Sequence, residues 1–413
     1  MNRFRLSVFA MATVLALGAC QSVPYARLED LPPAVQPQDG SAERHALNAR
    51  VYDAATSYVG RLFYRRDFGG LDWPAEAAAR RAQVVSAESE ADFYLGLKAL
   101  IDRLNDDHTN VHSPTSRARI VARRRGEQAA GHGFEVRPEG DARWVSRVTP
   151  DSPAALAGIE PGWQVISIDG GPPHLGPSAR LGDATTFVFE SRDGRRHTHS
   201  LVGAEVPSWP RRSYELRDDG VAVVRFDDFD PPTLEWADGL FADFAVTPPR
   251  GLVIDLRTNG GGYFNITALM LAHLFDRSIE VAEWDGRLIN RRWRADGSAT
   301  PYRGPVAVLT GPASASGAEV FAAVVREEGR GKLIGETTRG AVIGTRTIDL
   351  PDGGALSVGM IDMITPDGDR IEGHGVAPDL AVPNDWDAVL RGDDLALDAA
   401  IAVVTAEADT FSR

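Results

Sequence analysis

Apolar positions follow different periods along the chain, and each change of period marks a new part. Residues 45–64, HALNARVYDAATSYVGRLFY, and 90–104, EADFYLGLKALIDRL, place apolar side chains at helical spacing. This predicts a helical N-terminal unit over 44–118, closing at the polar stretch NDDHTNVHSP. Over 119–205 the runs shorten. GHGFEVRP, ARWVSRVTP, WQVISIDG and TTFVFESRDG read as strands separated by Gly, Pro and Asp turns. From 206 to 413, VAVVRFDDF, GLVIDLRTNGGG, ITALMLAHLF, PVAVLTG, SGAEVFAAVVREEG and KLIGETT alternate buried strands with helices. Such alternation predicts crossover units on a largely parallel sheet. The expected class is multidomain α+β: a helical unit, a β-rich unit and an α/β unit.

A length of 413 residues is too great for one ordinary core, and 43% apolar with 25% charged residues is the composition of a soluble globular protein. The net charge of -14 excludes a nucleic-acid partner, which needs clustered Lys and Arg. At the start, Arg3 and Arg5 precede LSVFAMATVLALGAC, a run too short to span a bilayer. Residues 1–19 read as a secretory signal peptide. The single cysteine, Cys20, ends that run, so an exported chain has no disulfide framework. The segment resembles the bacterial lipobox. That implies a lipoprotein anchored to the membrane through Cys20 in the cell envelope, and Gln21 in place of Asp points to the outer membrane facing the periplasm. Residues 20–43, rich in Pro, Gln and Ser, form a tether.

Two stretches carry candidate chemistry. In GPASASGAEVFAAVV, residues 311–325, Ser314 and Ser316 sit among Gly and Ala at a strand-to-helix junction. Ser316 and Glu319 fit a capping box, yet a nucleophile at a helix N-terminus also gains from the positive dipole end. In the second stretch, Asn259 precedes Gly260, Gly261 and Gly262 at the end of a strand. That run lacks the patterns that grip phosphates. It is either a tight turn or a bare backbone whose N–H groups face a reacting oxygen. The nine histidines are scattered and no cluster has metal-ligand spacing, so no metal or cofactor is expected.

Asp151 to Gly170, DSPAALAGIEPGWQVISIDG, closely resembles the signature of PDZ domains. The resemblance makes Gly131, His132, Gly133 and Phe134 the loop that captures a peptide carboxylate, with His132 departing from the usual apolar residue. IDLRTNGGG, AVLTGPASASGAEVF, LIGETTRG and DMITPDGDRIEGHGVAPDLAV occur in series. Together they resemble the serine peptidases that include the C-terminal processing proteases and the tricorn core. The resemblance implies a crotonase-like α/β domain that hydrolyses protein or peptide substrates. Ser316 would be the nucleophile, and the oxyanion hole would combine Gly317 N–H with one from Gly260, Gly261 or Gly262.

The processing proteases activate serine with a lysine, but Ala341 occupies that position in GETTRGAV. Arg339 cannot give up its proton, and Lys332 precedes the loop. LNDDHTNV and IEGHGVAPDL resemble the tricorn motifs that supply the base and its orienting carboxylate, here His108 and Glu372, with His112 and His374 as nearby competitors. Asp107 stands where the tricorn relay has a serine, and Gly373 replaces an Asn. Two other readings stay open: a decayed, non-catalytic peptide-binding protein, and a binder of hydrophobic small molecules on the same fold.

Overall fold

The computed structural model describes residues 36–118, 130–139, 142–173, 181–206, 211–383, 388 and 393–411. The expected signal peptide, Cys20 and the expected tether up to residue 35 lie outside the described residues. From Gln36 the chain already touches the fold, since the Gln36 amide donates to the Asp352 carbonyl at 2.8 Å. Helix α1 (Ala42–Leu62) starts under a Ser41 cap, with Arg44 N–H donating to its hydroxyl at 3.1 Å. Helices α2 (Trp73–Val85) and α3 (Glu90–Ile101) are capped likewise by Asp72 and Ser89. After a left-handed turn at Asn105, strand β1 (Asn110–His112) follows.

The helical unit does not close a core of its own. Val51, Ala55 and Val59 recur every four residues on α1 and are fully buried with Phe93, Leu97 and Leu100 of α3. The same cluster contains Leu356, Val358 and Met360 from a strand some 250 residues further on. Each such side chain contributes roughly 1.5–3 kcal/mol on burial, so the helices are held by that distant strand as much as by each other. Buried Tyr94 reinforces the seam by donating to the Asp352 carboxylate at 2.9 Å.

The middle unit begins with β2 (Ala130–Gly131), β3 (Phe134–Glu139) and β4 (Ala142–Val148). The short helix α4 (Pro153–Leu156), β5 (Gln164–Ile168), β6 (Ala184–Glu190), β7 (Arg196–Val202) and β8 (Ala204–Glu205) complete it. Its antiparallel sheet has the order β3-β4-β5-β6-β7, and β2 pairs with β8 where the chain enters and leaves. Val145, Val165, Phe187, Phe189 and Leu201 fill a separate core.

The third unit holds two sheets. Strands β9 (Arg212–Leu216) and β10 (Val221–Phe226) lead into α5 (Pro231–Val246), then β11 (Gly251–Asp255) and α6 (Phe264–Ala272). An antiparallel pair, β12 (Ile279–Gly286) and β13 (Asn290–Ala295), precedes β14 (Val306–Thr310), α7 (Gly317–Glu327) and β15 (Lys332–Gly335). Then come β16 (Gly344–Asp349), β17 (Ala355–Ile364), β18 (Leu380–Ala381) and α8 (Leu395–Phe411). The six-stranded sheet runs β18-β15-β14-β11-β10-β9, parallel except for β9.

Side chains alternate between its two faces. Leu252, Ile254, Val306 and Val308 join the large core containing residues of α5, α6 and α7, while Val253, Ala307 and Leu309 pack with Ala400 and Val404 of α8. Burial on both faces explains why these strands read as unbroken apolar runs. The second sheet, β1-β17-β12-β13 with β16 on β17, is the platform for the helical unit.

The expected α+β class is the observed one. His132 fills an apolar position in the middle unit: it is buried, its ring lies edge-on to Phe187 at 4.9 Å, and its Nε2 has no hydrogen-bond partner. Burial lowers its pKa below the ordinary 6.5, against a small opposing pull from Asp169. The unfolded chain therefore takes up this proton first. The contribution to stability is full above about pH 6.5 and falls as the pH drops below it, with a slope of at most about 1.4 kcal/mol per pH unit. Hydrogen exchange on the full chain should show the middle unit opening more readily at pH 5.5 than at pH 7.5. His132→Leu should remove that part of the difference; an unchanged pH response would show that His132 is not its source.

Candidate active site

The serine at the end of β14 sits in an unusual conformation. Ser316 has φ 54° and ψ -117°, the left-handed side of the map, where a residue with a Cβ is strained by about 1–3 kcal/mol. A buried carboxylate holds it there. The Ser316 N–H donates to Glu319 Oε2 at 2.9 Å, which is the Glu319 half of the expected capping box. Glu319 accepts three further bonds, from the Thr338 hydroxyl (2.6 Å), Gly340 N–H (2.6 Å) and Ala341 N–H (2.8 Å). Fully buried, this one side chain fastens the strand-to-helix junction to the loop after β15.

Ser314 is committed to structure. It is fully buried, its hydroxyl donates to the Leu256 carbonyl at 2.7 Å, and it accepts from Gly311 N–H at 3.0 Å.

The glycine run packs its bare backbone against that serine. A Cβ on Gly261 would lie 2.6 Å from the Ser316 Cβ, and one on Gly262 would lie 2.4 Å from the Phe229 carbonyl oxygen. Their φ values of 97° and 147° are also glycine's own. Asn259, fully buried, shapes the turn by donating to the Phe226 carbonyl (2.9 Å) and accepting from Gly261 N–H (2.8 Å). Gly260 N–H is used as well, by the Asp227 carbonyl at 3.2 Å. Of the three N–H groups from which one oxyanion donor was expected, two are thus engaged, one by Asn259 and one by the Asp227 carbonyl. Among the described residues, the N–H groups of Gly262 and Gly317 donate to no protein acceptor. They are also neighbours: a Cβ on Gly317 would lie 3.6 Å from the Gly262 nitrogen.

The loop beyond Ala341 continues to the other two candidates. Val342 N–H donates to Glu372 Oε2 at 2.8 Å, and Glu372 Oε1 lies 3.3 Å from His108 Nε2. Among the described residues no hydrogen bond joins Ser316 to His108 directly; the path runs through Glu319, Ala341, Val342 and Glu372. Burial opposes the charge on both members of the His108–Glu372 pair. Their mutual hydrogen bond and attraction outweigh it, raising the His108 pKa above 6.5 and lowering that of Glu372, whose carboxylate also accepts from Val342 and Ile343.

The loop bearing His108 is anchored by its neighbours. Buried Thr109 donates to Asp106 at 2.5 Å and accepts from Gly359 N–H of β17 at 3.0 Å. Both residues belong to the LNDDHTNV stretch that resembles the tricorn motif, but a Thr next to a His shows its anchoring role only once its partner strand is known. Asp107 is exposed and, among the described residues, makes no hydrogen bond to His108. His112 lies in β1 opposite Ala355, and His374 is exposed in a turn. Gly373, at φ 79°, occupies a left-handed position that Asn also tolerates, so the departure from the tricorn pattern preserves the backbone.

No lysine reaches this site. The chain has only Lys98 and Lys332. Lys98 pairs with Asp102 on α3, and Lys332 is exposed at the first residue of β15, opposite Ala307 and away from the strand ends where Ser316 lies.

A strained serine at a helix N-terminus, with free backbone N–H groups next to it and a histidine–carboxylate pair linked to it through the 340–342 loop, fits a serine-type peptidase. Comparison with known proteins gives the same class. Residues 220–382 match Peptidase family S41. A chloroplastic C-terminal processing peptidase of Tetradesmus obliquus is 27% identical over 387 residues, covering 82% of this chain and 79% of that one. Among solved structures, the photosystem II D1 C-terminal processing protease shares the fold with a TM-score of 0.65 at 22% identity, covering 87% of this chain and 98% of its own. The tricorn protease shares it with a TM-score of 0.54 at 18% identity over 88% of this chain, which spans only 37% of the tricorn chain.

Glu319→Ala should leave several buried donors without an acceptor, at roughly 1–3 kcal/mol each. Urea unfolding should show a loss of at least about 3 kcal/mol, with a smaller loss for Glu319→Gln. A loss below about 1 kcal/mol for Glu319→Ala would mean that the junction is held by something else.

Proposed function

We propose that this chain is a serine endopeptidase in which Ser316 is the nucleophile, His108 the general base and Glu372 the group that orients it. The observation that carries the reading is the connected path from the Ser316 N–H through Glu319 and the 341–342 backbone to the Glu372–His108 pair, in a chain with no lysine at hand. With Nε2 engaged by Glu372, His108 Nδ1 takes the serine proton as Oγ attacks the scissile carbonyl carbon. The tetrahedral oxyanion is held by the N–H groups of Gly317 and Gly262. Collapse expels the amine, which receives that proton from His108, and water then hydrolyses the acyl-enzyme by the same route.

The middle unit serves as a PDZ domain that selects or gates substrate. Supporting this are Gly133 at φ 86° in the 131–134 loop, and Ser152, which donates to the Gly133 carbonyl at 3.2 Å and leaves no room for a Cβ there. The helical unit and the peptidase domain bound the approach to the site. Export and lipid anchoring at Cys20 place the protein in a bacterial cell envelope, as expected from its first residues. Among the described residues no helix is long and apolar enough to cross a membrane.

A fluorophosphonate should label Ser316 in the wild type and in Ser314→Ala, but not in Ser316→Ala. Labelling that survives in Ser316→Ala would overturn the assignment. Absence of both labelling and turnover in a folded protein would favour the decayed, peptide-binding reading.

The pH–rate profile tests the base. Neutral His108 is the active form and its pKa is raised, so kcat/KM should climb through a midpoint above 6.5 as the pH increases. Glu372→Gln removes the partner that raises that pKa. Its acid limb should move to lower pH while kcat falls on the order of 10⁴-fold, against about 10⁶-fold for His108→Ala. An acid limb in Glu372→Gln that stays in place would show that another group titrates.

A further inference from the structure

We infer that a groove beside the helical unit is a binding subsite for acidic segments of the peptide substrate; the identity of the occupant, though not the groove, rests on the peptidase reading. The groove, about 600 Å³, lies between the last turn of α1, the turn after β12 and strand β16. Arg61, Arg287 and Arg346 bring three guanidinium groups to it, and Tyr58, Leu288 and Ile348 supply apolar wall. Many surface arginines of this acidic chain stand beside carboxylates, such as Arg80 beside Glu76, Arg81 beside Asp53 and Arg370 beside Asp285 and Asp362, whereas, among the described residues, Arg50, Arg66 and Arg339 stand alone at scattered points. Among the described residues, none of the three groove arginines has a carboxylate within ion-pair distance.

Their present contacts leave the charge uncompensated. Arg287 donates to the carbonyls of Gly60 and Arg66 and lies over the Phe68 ring, so it fastens the end of α1. Arg61 lies over the Tyr58 ring at 4.8 Å and is otherwise exposed. Arg346 is exposed, and its guanidinium makes no hydrogen bond among the described residues. A bland account exists for Arg61, since a cation in the last turn complements the helix dipole. It does not extend to Arg346, which comes from a strand on another wall. Converging cations repel one another, and in a chain of net charge -14 that arrangement calls for an anion from outside.

Guanidinium groups favour carboxylates, which they bind in a planar, two-point geometry. The apolar walls suit a peptide with apolar side chains between its acids better than they suit a free ion. Position fits a substrate as well. Arg346 follows Val342, whose N–H holds Glu372, by four residues, a contour of at most about 14 Å.

The test uses the purified full chain carrying Ser316→Ala, so that binding is read without turnover. Fluorescence anisotropy compares two labelled, C-terminally amidated peptides that alternate Leu with either Glu or Gln. The Glu peptide should bind about tenfold tighter at low salt, a margin that shrinks as salt is raised. Arg61→Glu with Arg346→Glu should abolish the margin while leaving the thermal midpoint in place; Arg287 is untouched because α1 hangs on it. Equal binding of the two peptides, or a margin that survives the double substitution, overturns the inference. So does a double substitution that removes binding to phosphatidylglycerol vesicles but not to the Glu peptide, which would make the groove a membrane contact. Failure of the peptidase reading would appear separately, as absent fluorophosphonate labelling of the wild type beside an intact peptide margin.

Discussion

The buried carboxylate of Glu319 is the interaction on which the site depends. A carboxylate withdrawn from water is costly unless its oxygens are filled with donors. Here Ser316, Thr338, Gly340 and Ala341 fill them. None of these donors is optional for the geometry. The bond to Ser316 holds a backbone that would otherwise relax out of the left-handed region, and the bonds to Gly340 and Ala341 fix where Val342 presents its N–H to Glu372. One charge therefore sets both the attitude of the serine and the location of the acidic partner of His108. The capping box and the proposed nucleophile share the same four residues, and the two readings are compatible.

The glycines complete it by exclusion. Gly261 and Gly262 approach Ser316 and Phe229 too closely for any side chain, and Gly317 would strike Thr267 if it carried a Cβ. Removing side chains from three points lets two stretches of main chain face each other across the space above the serine. Asn259 and the Asp227 carbonyl then absorb the N–H groups that point the wrong way. The two that remain, on Gly262 and Gly317, belong to different elements, and only the packing of the loop after β11 against the start of α7 brings them together.

This division explains what the sequence made legible. The strands of the six-stranded sheet were visible because each is buried on both faces, and α1 and α3 because their apolar spacing is helical. The candidate residues were visible through motif resemblance, which keeps residue types and order. Hydrogen-bond commitments were not visible. The motif singles out Ser316, but nothing local shows that Ser314 is committed or tells Gly260 from Gly262, since there the difference lies in whether a partner some 30 to 60 positions away takes the proton. The shared core of the helical unit and β17 was hidden for the same reason, as its pairing spans most of the chain.

Replacing a lysine by Ala341 changes more than the identity of the base in the proposed mechanism. A lysine in that loop would stand on the peptidase domain itself, beside the serine. His108 instead stands on the loop between α3 and β1, outside the six-stranded sheet, held to β17 by Thr109 and Gly359 and by the pairing of β1 with β17. Serine and base then belong to separately packed parts of the molecule. Their register depends on the seam formed by Leu356, Val358, Tyr94 and Asp352. Loosening that seam would withdraw the base while leaving the serine, Glu319 and the glycine loop intact, because none of their hydrogen bonds crosses it. In the proposed mechanism the helical unit is in this sense a component of the site: whatever strengthens or weakens its docking would act on proton transfer first and on oxyanion binding hardly at all.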